Sequence, residues 1–326
     1  MTLRVAVIGC GAIARRSHLP GLRRAGAEVT CFASRSRSSA EAALADWGSG
    51  VIADGWEDAI AAPDVDAVDI CTPNRLHAEI AVAAAQAGKH VLVEKPIACT
   101  VAEADAMIAA AASAGVVLMP AHNVRFAKPF WGARLAVADG LVGDIVGVRS
   151  AFGHGGPHGW APEATWFFEP EESGGGALID LGIHAADALR SVLDDDVTEV
   201  GALMFGEPGQ NELAGQLILR FGGGAVGSLH ASWAARPGPD HQLTIFGTEG
   251  TLHLDSSTPL TFRPVQGDAR RVDLPDSTPD LFAEFVAACE GGPPPSVTAA
   301  DARAALAVIC GAYESARTGT IVNLRQ

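Results

Sequence analysis

Over residues 1–121 the chain alternates unbroken apolar runs (RVAVIG, EVTCFAS, DAVDICTP, HVLVEK and GVVLMP) with alanine-rich amphipathic stretches. An unbroken apolar run suits a strand buried on both faces, and strand–helix alternation implies right-handed crossovers in a parallel sheet. The expected fold of residues 1–121 is a doubly wound α/β domain. Downstream, from about residue 144, strand-like runs crowd together with turn signals between them, as in QLILRFGGGAVGSLHASW and HQLTIFGTEGTLHLD. That texture belongs to antiparallel hairpins, so residues 122–326 are expected to form a second, α+β domain. Two helices are read near its end, over TPDLFAEFVAACEGG and TAADARAALAVICGAYESARTG, the second with Thr298 as N-cap. The helix at about 299–317 is expected to pack back on the first domain, and GGPPPS (291–296) reads as the loop joining the two.

Composition narrows the partners. A chain of 326 residues exceeds the usual single domain, and 48% apolar residues are ample for a core. Lys plus Arg number 23 against 38 Asp plus Glu, a net charge of −15 that repels phosphate backbones and anionic lipid. No apolar run reaches the roughly 18 residues of a membrane helix, and MTLRVAVIGCG lacks the features of a signal peptide, so a cytoplasmic protein is expected. The six cysteines (Cys10, Cys31, Cys71, Cys99, Cys289, Cys310) make no Cys-x-x-Cys pair or zinc spacing and read as buried or reduced thiols. His154 and His158 lack a third ligand at a defined spacing, so no metal is assigned.

Gly9-Cys10-Gly11-Ala12-Ile13-Ala14 follows the first strand and opens a helix, the G-x-G-x-x-A form of the dinucleotide fingerprint. Gly9 permits the tight turn, Gly11 leaves room for the pyrophosphate, Ala14 allows close packing, and the helix N-terminus offers N–H donors. Pro20 should kink that helix. The second strand ends FASRSRS, with Ser34 where an NAD-binding acid would stand and Arg35 and Arg37 just beyond. A hydroxyl with guanidinium accepts a 2′-phosphate, which makes NADP the preferred cofactor over NAD.

CTPNRLH (71–77), GKHVLVEKPIA (88–98), HNVRF (122–126), GGGALIDLGIHAADAL (174–189) and ALAVICGAYESARTG (305–319), in this order and spacing, resemble the Gfo/Idh/MocA oxidoreductases. The resemblance covers nearly the whole chain. It implies an N-terminal Rossmann domain, a C-terminal domain with a large open-faced, mixed, mainly antiparallel sheet, and NAD(P)-linked chemistry on sugars, cyclitols and related polyols. An open apolar sheet face in turn implies a homodimer or homotetramer formed sheet to sheet. Lys95 matches the lysine of the E-K-P motif, which in the family lies beside the nicotinamide at a strand's carboxyl end, with Glu94 adjoining. A lysine there can polarise a substrate oxygen.

The resemblance also carries Cys71, Thr72, Pro73, Asn74 and His77 to the loop bordering the nicotinamide ribose. Asn123 and Arg125 match the segment entering the second domain, Asn123 on the cofactor side and Arg125 on the substrate side. Trp166 matches a tryptophan near nicotinamide and substrate. If the segment from Ala177 is helical, Asp180, His184 and Asp187 stand at i, i+4 and i+7 and share a face. The family motif makes Asp180 and His184 catalytic and substrate-binding with Lys95, the histidine as acid/base. Alternatively His184 is a buried histidine satisfied by Asp187, and both readings can hold together. Glycines 174–176 would let this loop approach the cofactor. The Gly- and His-rich stretch 152–168 departs from the family pattern and leaves the substrate unnamed.

The leading function is an NADP-preferring oxidoreductase transferring a hydride at a secondary alcohol or ketone of a sugar or cyclitol. An NAD-dependent glycoside-cleaving enzyme using transient oxidation is the alternative, and a non-catalytic nucleotide sensor a third reading.

Overall fold

A computed structural model describes residues 2–235, 241–255 and 258–324. The chain divides into two units, Met1–His122 with Pro279–Arg303, and Asn123–Thr278 with Ala304–Gln326.

The first unit is built on six strands: β1 (Arg4–Ile8), β2 (Glu28–Ala33), β3 (Val51–Ile52), β4 (Ala67–Ile70), β5 (His90–Val93) and β6 (Leu118–Pro120). They pair in parallel in the order β3-β2-β1-β4-β5-β6. Strand order reverses between β1 and β4, so the loops leaving these two strands part and open a crevice at their carboxyl ends. The helix entered from β1 passes through a π turn, Ala14–His18, directly before the α-helical Leu19–Arg24. Pro20, which cannot donate an N–H and whose ring crowds the carbonyl one turn earlier, stands in the first turn of Leu19–Arg24, directly after this widened turn.

Segment 279–303, read from sequence as part of the second domain, belongs to the first unit. The ring of Phe282 lies so close over Gly21 that a Cβ there would fall 2.2 Å from it, and it meets His18 edge-on at 5.2 Å. Burial of Leu281, Phe282 and Phe285 holds the helix Leu281–Cys289 in place. The following helix, Ala299–Thr318, is capped as expected at Thr298, whose hydroxyl accepts the Asp301 N–H while Asp301 accepts the Thr298 N–H.

The second unit carries β7 (Ile145–Gly153), β8 (Val197–Phe205), β9 (Ala214–Phe221), β10 (Val226–Ser232), β11 (Gln242–Gly247), β12 (Gly250–Asp255), β13 (Thr258–Pro264), β14 (Arg270–Arg271) and β15 (Val322–Asn323). They form one sheet in the order β14-β13-β12-β11-β7-β10-β9-β8-β15, in which β7 and β10 pair in parallel and the other neighbours antiparallel. Leu217, Leu219 and Phe221 alternate inward along β9. The covering layer includes the helix Ile183–Leu193 and the end of Ala299–Thr318, where the Ser315 hydroxyl accepts the Ala202 N–H. The opposite face is open, with Leu203 78%, Phe205 63% and Ile218 58% exposed. Among the described residues no helix is long and apolar enough to cross a membrane.

Candidate active site

In the first unit the fingerprint turn, the Cys71 loop and the E-K-P segment leave the carboxyl ends of β1, β4 and β5, which are neighbours in the sheet. Gly9 has φ +93°, and a Cβ there would stand 2.5 Å from the Cys71 backbone, so this turn requires glycine. Around Gly11 a Cβ would meet nothing within 4 Å. The space beside its backbone is free for a pyrophosphate, and the buried Thr72 hydroxyl has no hydrogen-bond partner among the described residues. Both features fit a dinucleotide, whose role when bound is to take or give a hydride.

After β2, Ser36 caps the helix Arg37–Trp47 by accepting the Ser39 N–H. Arg37 lies 3.4 Å from Glu41 and 3.9 Å from Asp54, whereas no ion pair or hydrogen bond engages Arg35 among the described residues. Of the two arginines, Arg35 is the one left available to a phosphate.

The half-buried Lys95 follows β5 and is joined to Pro96 by a cis peptide. Two of the residues expected on the cofactor side, Glu94 and His77, make internal hydrogen bonds. Glu94 directs Oε1 at His18 Nε2 (2.8 Å), and Oε2 accepts the Lys95 N–H (3.0 Å). His77 is fully buried, Nδ1 facing the Pro96 carbonyl (2.8 Å) and Nε2 the Thr72 carbonyl (3.0 Å), so it ties the β4 loop to the β5 loop. Burial lowers the His77 pKa against the pull of those two carbonyls. Sequence reasoning missed His18 and Asp69. Their signal was an acid inside an otherwise apolar strand, Ala67-Val68-Asp69-Ile70, which demands a buried partner.

In the second unit Leu178–Gly182 is a π turn and only Ile183–Leu193 is α-helical. The assumption of one regular helix from Ala177 therefore fails, and the side chains leave it toward different partners. Asp180 accepts the Trp233 indole N–H at 2.9 Å. The Asp187 carboxylate accepts from Nε and Nη2 of Arg125, which is 5% exposed. That grip fixes Arg125 beside the helix Ile183–Leu193. His184 is half-buried, with the Phe152 ring edge-on at 6.2 Å.

Trp166 stacks on Phe167 at 3.8 Å, and His158 on Phe168 at 4.3 Å, while Phe168 meets Trp233 edge-on. The stretch 152–168 thus builds an aromatic wall beside the tryptophan that holds Asp180. The triple glycine has a packing cause. A Cβ on Gly175 would stand 2.0 Å from the Tyr313 hydroxyl and one on Gly176 would stand 2.0 Å from the Glu212 carbonyl oxygen. The Glu212 carboxylate accepts the N–H groups of Gly176 and Leu178 and the Tyr313 hydroxyl, and its carbonyl accepts the N–H of Ala177. Burial raises the Glu212 pKa despite these donors.

Residues 3–122 match the model of the oxidoreductase family with an NAD-binding Rossmann fold, GFO_IDH_MocA, and residues 130–253 match the GFO/IDH/MocA C-terminal domain. The chain belongs to the Gfo/Idh/MocA oxidoreductase family. Among Gfo/Idh/MocA relatives, 1,5-anhydro-D-fructose reductase of Ensifer adhaerens is 33% identical over 97% of this chain and 97% of that protein. Myo-inositol 2-dehydrogenase of Thermotoga maritima is 29% identical over 81% of each. A levoglucosan dehydrogenase solved with NADH and levoglucosan superposes with a TM-score of 0.87 at 26% identity, covering 100% of both chains. The protein is accordingly an NAD(P)-dependent oxidoreductase.

Proposed function

We propose that this Gfo/Idh/MocA protein is an NADP-preferring dehydrogenase or reductase acting on a secondary alcohol or ketone of a sugar or cyclitol. The observation that carries the reading is the placement of Lys95 at the carboxyl end of β5, at the same edge of the sheet as the open backbone of Gly11. The named substrates of its relatives, an anhydro-fructose, myo-inositol and levoglucosan, support the substrate class. In this reading Lys95 polarises the substrate oxygen, His184 exchanges its proton, and Asp180, held by Trp233, supports the histidine and the substrate hydroxyls. Ser34 and Arg35 select the 2′-phosphate. The open sheet face assembles homodimers or homotetramers, and six cysteines read as reduced thiols suit work in the reducing cytoplasm.

A panel of sugars, inositols and keto-sugars, read by absorbance of reduced nicotinamide, tests the activity; glycoside cleavage without net reduced nicotinamide would overturn it. Lys95→Met and His184→Ala should each keep nicotinamide binding while turnover falls about 10²–10⁴-fold. Arg35→Ala should weaken NADP by about 1.5–3 kcal/mol and NAD far less. Equal losses for both cofactors would reassign the preference to NAD.

A further inference from the structure

We propose that His18 is the positioning residue for Lys95, held as an imidazolium between the Asp69 and Glu94 carboxylates so that Glu94 fixes the backbone on which the lysine stands. The inference rests on the reading of Lys95 as the group that polarises the substrate oxygen.

His18 is 1% exposed, and its Nδ1 lies 2.8 and 3.0 Å from the two oxygens of Asp69, itself wholly buried. Its Nε2 lies 2.8 Å from Glu94 Oε1. An ionised carboxylate only accepts, so a proton must lie in each of the two contacts, and the trio holds one proton more than a neutral imidazole with two carboxylates. The groups facing the ring are Asp69 and Cys71 from the end of β4, Glu94 from the end of β5, and the Phe282 edge. Burial opposes the ring's charge, but Asp69, Cys71 and their hydrogen bonds outweigh it and raise the His18 pKa well above its ordinary value. Burial likewise pushes Glu94 up, and His18 with Lys95 brings it below its usual range. The atoms of His18, Asp69 and Cys71 gather closely enough to suggest a metal site. A proton explains the short His18–Asp69 contact better, because ligands of one zinc ion stand farther apart, and Nε2 is committed to Glu94.

A buried ionic trio adds less stability than apolar packing of the same volume, so its use here is geometric. The Oε2 atom of Glu94 accepts the Lys95 N–H at 3.0 Å, which makes Glu94 a latch from the ring to the lysine's own peptide. Beyond the lysine, His77 holds the Pro96 carbonyl. Lys95 is thus pinned on both sides. His18 also closes the π turn of the helix that the fingerprint opens, so one ring joins the pyrophosphate helix to the lysine loop.

The test compares His18→Gln with His18→Asn in the full chain. A glutamine amide reaches about where Nε2 stands and can donate to Glu94; an asparagine amide reaches about where Nδ1 stands and serves only Asp69. Acetylation of Lys95, followed by peptide mass mapping, should change in the asparagine variant and stay near wild type in the glutamine variant. Turnover with the substrate found by the panel should fall about 10–10²-fold in the asparagine variant, with nicotinamide affinity kept and most activity retained by glutamine. Equal losses in the two variants with unaltered Lys95 acetylation would reduce His18 to a core residue. In wild type, ¹⁵N spectra of the histidine rings should show one with both nitrogens protonated at neutral pH and absent from either variant; a neutral His18 overturns the proposal even if a variant fails to fold. Lys95→Met separates the two claims. Full turnover in that variant sinks the catalytic reading of the lysine, while acetylation and ring spectra still decide what His18 holds.

Discussion

The buried Nε2 of His241 has no hydrogen-bond partner among the described residues, and the ring lies flat on Phe152, with centroids 4.4 Å apart and planes 4° apart. Burial alone pushes its pKa down to about 3. The unfolded value is about 6.5, so the native state resists a proton the unfolded chain accepts. Its contribution is intact above that value and is lost as the pH falls toward the folded one. His18 has the opposite sign: its contribution is complete below about pH 6.5 and fades as the medium turns alkaline. Urea midpoints should therefore show wild type losing about 2 kcal/mol between pH 7 and pH 5 through His241, and His241→Phe losing less. Identical acid limbs for the two proteins would remove His241 as the cause. Neither histidine was legible, since a single imidazole in a sequence carries no mark of burial. Asp69 was closer to legible, because strand β4 leaves an acid no route to water.

At the scale of elements, both functional helices begin with π turns, Ala14–His18 and Leu178–Gly182, and each moves a side chain off the face a regular helix would give it. The spacing of Asp180, His184 and Asp187 was visible, but their partners Trp233 and Arg125 lie 53 and 62 residues away. The glycines divide by what surrounds them. Gly176→Ala must displace the Glu212 backbone that receives the start of the helix, and should cost about 1–3 kcal/mol in a urea titration. Gly11→Ala meets open space and should alter stability by no more than about 0.5 kcal/mol, while weakening nucleotide binding measured by fluorescence. A stable Gly176→Ala protein with an unchanged midpoint would show that the Glu212 loop yields.

For the whole molecule, the open face of the nine-stranded sheet is the feature with consequences. Leu203, Phe205 and Ile218 project from one side of β8 and β9, where Gly201 and Ile218 are paired, and Ile321 beside β15 is 62% exposed. Its exposed apolar side chains are the ground for the proposed assembly. Light scattering at micromolar concentration should give a multiple of 33.5 kDa, and Leu203→Glu with Ile218→Glu should shift it toward the single-chain mass. A wild-type monomer would show that this face works uncovered.

Periodicity and turn chemistry are local, so the sequence alone determined the alternating α/β first domain, the fingerprint turn, the strand-rich second domain and the Thr298 cap. The ordered motifs gave the family before any coordinate was needed. Only the tertiary structure decided that segment 279–303 joins the first unit, because that depends on Phe282 meeting Gly21 across 261 residues. It alone gave Glu94, His77 and Arg125 their internal partners, His18, the Pro96 and Thr72 carbonyls and Asp187. A side chain's partner is set by what folding brings within 3 Å of it, and the buried acids, histidines and arginine here find theirs on other elements of the fold.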